Sequence, residues 1–270
     1  MIIIQGRIMN VVLVTGASSG IGKEFAREFA CRGYNLVLVA RRAELLEEIR
    51  KEFVEEYKVN VDCFACDLTA DPKAVYDFCK EKEYEVSVLI NNAGYGDYGN
   101  FIDSDLDKAL GMIELNNKAL VALTYYFIKD MKNAGYGHVI NTGSVASLIP
   151  GPYMAVYYAT KAFVMSFSMA LREELRDDNI KVSVLCPAPT RSDFWKVANG
   201  ETASIYDNVF ARTSSDAAKT GYQLFTSNKP YAIDGIQYKI LINVARHLPL
   251  ELCARAVGFL QSKTKKKRNG

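Results

Sequence analysis

Short apolar runs rich in β-branched residues alternate along the chain with longer stretches of helical periodicity. The runs predict strands at Val11–Thr15, Asn35–Ala40, Val61–Cys66, Val86–Ile90, His138–Thr142 and Lys181–Cys186, with a shorter one at Pro230–Ile233. Runs such as VVLV and NLVLVA have no polar alternate position, which requires that both faces of the sheet be covered. A segment long enough for a helix separates each of the six main runs from the next, so the strands are expected to lie parallel with helices on both sides. The pattern predicts an α/β fold, a doubly wound parallel sheet of about seven strands. Beyond Cys186 the period is lost, and residues 190–229 read as a loop-rich cap. A helix is expected over Ser214–Phe225, with Ser215 and Asp216 as capping candidates, and an amphipathic one over Pro249–Leu260.

Composition narrows the class further. With 270 residues and 49% hydrophobic content the chain can bury one large core, so residues 1–270 are taken as a single domain needing neither disulfide nor metal. Lysine plus arginine (33) nearly balances aspartate plus glutamate (31), which supplies no field for nucleic acid. The six cysteines, at positions 31, 63, 66, 79, 186 and 253, are scattered and read as free thiols of a cytoplasmic protein. Cys63 and Cys66 form a CxxC with no second pair, on a strand where residues three apart face opposite ways, so no metal site is expected. No apolar run reaches the ~18 residues of a membrane span, and in MIIIQGRIMN the arginine follows the apolar start, unlike a signal peptide. Residues 1–8 are given no function. The basic tail at 263–270 reads as solvated and frayed, with peripheral contact to an anionic membrane as the alternative.

Candidate chemistry begins directly after the first strand, where TGASSGIG places Gly16, Gly20 and Gly22 in a strand-to-helix turn with Ser18, Ser19 and Ile21 between them. Glycine there allows the backbone N–H groups to approach a pyrophosphate, and the helix N-terminus adds partial positive charge. The second strand ends in Arg41 and Arg42, where an NAD enzyme usually carries an acid for the ribose 2′-hydroxyl. A guanidinium at Arg41 suits a 2′-phosphate instead, so NADP(H) is expected rather than NAD(H), the alternative being two arginines that merely face water. Ser144 follows the fifth strand, with Tyr157 thirteen residues later and Lys161 four beyond that. The spacing of four puts phenol and ammonium on one helical face, where the cation can lower a phenol pKa of about 10.

TGASSGIG, NNAG (Asn91–Gly94), Ser144, Tyr157-x-x-x-Lys161 and the CPAPTRS segment together resemble the short-chain dehydrogenases/reductases in identity, order and spacing, over residues 9 to about 195. The resemblance implies a Rossmann-like sheet and an NADP(H)-dependent oxidoreductase that transfers a hydride between nicotinamide and a carbonyl or secondary alcohol carbon. It makes Tyr157 the general acid in reduction and its phenolate the base in oxidation. Lys161 would hold the nicotinamide ribose hydroxyls and depress the Tyr157 pKa, and Ser144 would hydrogen-bond the carbonyl oxygen. Asn116 would anchor a water toward Lys161. It is chosen over Asn117 because the apolar Leu115 precedes it. Asp67, beside Leu68, would accept from the adenine amino group, its alternative role being a helix cap. Asn92, Ala93 and Gly94 would pack along the cofactor, and Pro187 and Ser192 would border the nicotinamide. One departure is Pro187-Ala188 where the family usually has Pro-Gly, which implies a shifted backbone there. A homodimer or homotetramer is implied as well.

Two other readings stand beside this one. A catalytically silent NADP(H)-binding sensor or scaffold of the same fold typically lacks the tyrosine or lysine, and both are present here. A sugar-nucleotide epimerase or dehydratase needs a larger C-terminal substrate domain than the about 80 residues that follow Cys186 allow. Phe194, Trp195, Tyr206 and Phe210 suggest an apolar wall for a fatty acyl, steroid-like or aromatic carbonyl, or else pack the cap onto the core.

Overall fold

The computed structural model describes residues 9–191, 194, 198 and 212–266. Seven parallel strands form one sheet in the order β3-β2-β1-β4-β5-β6-β9. In chain order the first half runs β1 (Met9–Thr15), α1 (Gly20–Ala30), β2 (Asn35–Ala40), α2 (Ala43–Tyr57), β3 (Val61–Ala65), α3 (Lys73–Glu81), β4 (Tyr84–Asn91), α4 (Leu106–Ile113) and α5 (Leu120–Ala134). The second runs β5 (Gly137–Thr142), α6 (Ala155–Glu174), β6 (Ile180–Cys186), β7 (Thr190–Arg191), β8 (Arg212–Thr213), α7 (Ser214–Thr226), β9 (Tyr231–Ile233), α8 (Ile236–Ala245) and α9 (Leu250–Lys266). The expected doubly wound sheet is therefore present.

Successive strand residues point to opposite faces, and β1 shows the consequence. Val12 and Val14 enter a cluster with Phe25, Phe29 and Phe53 of α1 and α2 and Leu224 of α7. Val11 and Leu13 enter the opposite cluster with Val75 of α3 and Leu123, Phe127 and Met131 of α5. Each fully buried phenylalanine or leucine contributes roughly 1.5–3 kcal/mol of transfer free energy, and it is this two-sided burial that makes the strands read as unbroken apolar runs.

The order reverses between β1 and β4, and a crevice opens beyond the C-terminal ends of the strands at such a switch point. Thr15 ties the two ends together. Its hydroxyl accepts from the N–H groups of Asn92 (2.9 Å) and Ala93 (3.0 Å) and donates to the Ile90 carbonyl (3.3 Å), which uses its hydrogen-bonding capacity in full.

Local differences from the sequence expectation have simple causes. The cap of α7 is Thr213 rather than Ser215: the Thr213 hydroxyl accepts from Asp216 N–H, and the Asp216 carboxylate accepts from Thr213 N–H, a reciprocal capping box. Helix α9 continues past Leu260 to Lys266, into the basic run expected to fray. Cys63 packs with the α1–α2 side of the sheet and Cys66 with the α3–α5 side. Burial pushes the Cys63 thiol up to about 11. Among the described residues no group of three or more His, Cys, Asp and Glu side chains is placed to hold a metal ion.

Candidate active site

A cleft of about 730 Å³ lies along the C-terminal ends of the strands, with the glycine turn at one end and Ser144, Tyr157 and Lys161 at the other. Gly16 and Gly20 both take positive φ, +66° and +56°, the region that a side chain disfavours. Gly22 is excluded from carrying a side chain for a different reason: a Cβ there would overlap the Gly16 carbonyl and the Asn92 side chain. The N-cap residue of α1, Ser19, makes no side-chain capping bond, so the first N–H groups of the helix remain available to a ligand in the cleft.

Both arginines after β2 line this cleft, and they do different things. Arg42 donates through Nη2 to Ser18 Oγ (3.0 Å) and Ser19 Oγ (3.1 Å), folding its guanidinium onto the glycine turn. Arg41, the residue singled out from sequence, acts electrostatically on Asp67 and Tyr95 instead. Neighbouring residues leaving a strand diverge, and nothing in an Arg-Arg pair states which one turns inward. Asp67 Oδ1 accepts from the Thr69 N–H (3.0 Å) and hydroxyl (2.8 Å), which hold its carboxyl below the usual range. It does not cap α3, which receives Asp71 Oδ1 at the Ala74 N–H (3.1 Å). Leu68, Asn92, Ala93, Gly94 and Pro187 also border the cleft.

At the other end Ser144 opens a 3₁₀ turn, Val145–Leu148, and is fixed twice: its Oγ accepts from Ala146 N–H (3.1 Å), and its own N–H donates to Ser147 Oγ (3.1 Å). Lys161, buried one turn along α6, donates to the Thr142 carbonyl (2.7 Å) and lies 5.9 Å from the centroid of the Tyr157 ring. Here the electrostatics depart from expectation. Burial pushes the Tyr157 phenol up to about 12, with the nearby Ser144 hydroxyl opposing it, and pushes Lys161 down to about 8. Desolvation disfavours the charged form of both groups and is the largest influence on each.

Asn116 and Gly22 are the described site candidates that do not border the cleft. Asn116 belongs to a π-helical turn, Glu114–Ala119, between α4 and α5. Its Oδ1 accepts from Tyr95 N–H (3.1 Å), and its Nδ2 donates to Tyr95 O (3.0 Å) and Thr160 Oγ1 (3.0 Å). The side chain thus pins the loop after β4 to α6, while Asn117 donates to Thr160 O (2.9 Å). Gly94 sits between Asn116 and the lysine: a Cβ there would lie 2.8 Å from Asn116 Oδ1 and 3.6 Å from Lys161 Nζ.

Ser192, Trp195, Tyr206 and Phe210 lie outside the described residues. Phe194 borders the cleft with its ring 5.3 Å from that of Tyr157. Ala188, the departure from Pro-Gly, is buried without a positive φ, and its carbonyl accepts from Thr190 Oγ1 (2.7 Å), so the extra methyl costs the backbone no strain. Sequence reasoning missed Tyr95, Lys108 and Met154. Lys108 pairs with Asp97 at 2.6 Å, and Tyr95 donates to Lys108 O at 2.8 Å. These three lie on loops and a short helix without a motif, and only tertiary contact brings them to the cleft.

A family model described as short chain dehydrogenase matches residues 10–202. The chain belongs to the short-chain dehydrogenase/reductase family, oxidoreductases that act at CH–OH and C=O carbons. It is 32% identical over 243 residues to a very-long-chain 3-oxoacyl-CoA reductase of Kluyveromyces lactis, covering 86% of this chain and 70% of that one. It is likewise 32% identical over 220 residues to the 17-beta-hydroxysteroid dehydrogenase type 3 of Homo sapiens, covering 79% and 67%. Across such curated relatives the chain spans between 51% and 70% of their length. Among solved structures, a short-chain dehydrogenase from Sphingobium yanoikuyae in complex with NADPH matches with a TM-score of 0.79 and 31% identity, covering 87% of this chain and 93% of that one.

Proposed function

We propose that the protein is an NADP(H)-dependent oxidoreductase that interconverts an apolar ketone and its secondary alcohol, with Tyr157 as the acid and base. One observation carries the reading: a single cleft joins an uncapped helix N-terminus and glycine turn to a hydroxyl, phenol and ammonium that meet at its far end. The donor set fits a dinucleotide. The exposed N–H groups of α1 suit a pyrophosphate, and Arg42 with Ser18 suits a 2′-phosphate better than the sequence choice, Arg41. Asp67 suits an adenine amino group and Lys161 the ribose hydroxyls, and NADPH when bound supplies the hydride.

The protein's own part is proton management. Tyr157, neutral because burial raises its pKa, carries the proton to be delivered to the substrate oxygen. Ser144, held rigid by its 3₁₀ turn, presents its hydroxyl where negative charge develops on that oxygen. Lys161 stabilises the phenolate left behind, and Asn116, in the π turn that loosens the helix ladder, would hold a water toward Lys161 through which the proton is replaced. Phe194, Met154 and Tyr157 close on Gly96, where a Cβ would lie 2.6 Å from Phe194 Cζ and 3.2 Å from Tyr157 Cδ2. That apolar enclosure supports a substrate with a hydrocarbon body, and the names of the relatives make 3-oxoacyl thioesters and ketosteroids the first to try.

The test is titration with NADPH and NADH, followed by turnover against those two substrate classes, with Tyr157→Phe in parallel. NADPH-preferred turnover that the variant loses while still binding NADPH supports the reading. Binding of neither cofactor overturns it, and tight NADPH binding with turnover unchanged in Tyr157→Phe overturns the role of Tyr157.

A further inference from the structure

We infer that the outer face of α8 and α9, with the basic residues that follow, docks onto an anionic lipid surface. Helix α8 buries only Ile242 and leaves Ile236, Ile240, Leu241 and Val244 exposed, a stripe at helical spacing on the side away from the sheet. The connection and α9 extend it with Leu248, Leu250, Leu252, Phe259 and Leu260, all exposed. Single exposed apolar residues are ordinary, but nine large ones on two consecutive helices and the connection between them are more than a monomeric surface commonly keeps.

The inner face of α9 is fixed to the body. Cys253 and Gln261 are buried, Tyr98 OH donates to Gln261 O (2.8 Å), and Gln261 Nε2 donates to Tyr158 OH (2.9 Å). The outward residues are therefore held outward and cannot simply roll into the core.

Charge decides the occupant. Residues 236–270 contain eight lysines and arginines against one acid, Glu251, whereas residues 1–235 carry five more acids than bases. Five of the eight, Lys263, Lys265, Lys266, Lys267 and Arg268, directly follow the apolar stripe. An apolar helix face flanked by clustered cations is the pattern that lies in an anionic interface, with hydrocarbon contact and electrostatic attraction acting together. A second copy of the chain seated on the same face would bring two such cationic segments together, which repulsion opposes.

The test is cosedimentation with vesicles of phosphatidylcholine alone and of phosphatidylcholine mixed with phosphatidylserine, at low and high salt. The wild-type protein is expected to partition onto the mixed vesicles and to be released by salt. Replacing Lys263, Lys265, Lys266 and Lys267 by glutamine should lower that partitioning about a thousandfold. The double variant Ile240→Ser, Leu241→Ser should lower it by roughly tenfold or more, both variants keeping the wild-type circular dichroism. No binding to the mixed vesicles, or equal binding to both kinds, overturns the inference. So does a serine variant that sediments as a smaller species yet binds vesicles unchanged, which assigns the face to a second copy.

Discussion

Tyr157 is a phenol made harder to ionise by its surroundings, and this suits the role proposed for it, to hold a proton until a substrate oxygen becomes basic enough to take it. Replacing it by phenylalanine should lower kcat by about 10²–10⁴-fold with NADPH affinity retained, since only the proton donor is removed. Stopped-flow turnover with fluorescence titration measures both. Arg42 offers a sharper residue-scale test because its neighbour is a built-in control. Arg42→Ala should weaken NADPH binding by roughly 10–100-fold while leaving NADH binding nearly unchanged, the loss of one charge-assisted bond. Arg41→Ala should do less. Equal effects of the two substitutions would show that position rather than contact governs the preference.

Elements place these side chains, and the turn between β1 and α1 tolerates the least change. Alanine at Gly22 would put its methyl into the Gly16 carbonyl, so Gly22→Ala should lower the melting temperature and abolish NADPH binding at concentrations that saturate the wild type. Retained binding with an unchanged melting temperature would mean that the turn can move aside. At α7 the Thr213–Asp216 capping box satisfies N–H groups that would otherwise lack partners, and Thr213→Ala should cost about 1 kcal/mol in urea unfolding with little effect on turnover. Ser215→Ala should be close to silent, since Thr213 and not Ser215 caps the helix.

For the whole molecule, acid stability carries the signature of a buried histidine. His138 is packed between sheet and α7, its Nε2 paired with Ser183 Oγ at 3.0 Å, and desolvation lowers its pKa from 6.5 to about 3. Between those values the unfolded chain binds a proton that the folded one refuses, so this residue's contribution is intact above pH 6.5 and declines as the pH falls toward 3. Melting temperatures of the wild type and His138→Gln, measured from pH 7.5 down to pH 4 (about the range in which an ordinary histidine protonates), should converge in acid. Parallel curves would remove His138 from the account. Beneath the cleft a connected polar set crosses the sheet: Asn91 donates to Thr124 and Asn141 (2.9 Å each), and Asn141 donates to Ser168 (2.8 Å). This set links β4 and β5 to α5 and α6.

Periodicity alone determined the sheet, because a strand buried on both faces must be apolar at every position, and the six main runs carry that signature without help from distant residues. Motif spacing likewise singled out residues that meet in one cleft: the glycine turn, Ser144, Tyr157 and Lys161 each stand in a local frame, a turn or one helical face, that a few adjacent residues specify. Tertiary structure decided what depends on groups far apart in sequence. That Arg42 and not Arg41 folds onto Ser18 and Ser19 rests on residues 24 and 23 positions away. That Tyr157 is raised and Lys161 lowered follows from burial, and desolvation is a property of the assembled surroundings that spacing does not encode. The outward stripe of α8 and α9 belongs to the same category, since a helix whose exposed face is apolar looks in sequence like any other buried one until its neighbours are known.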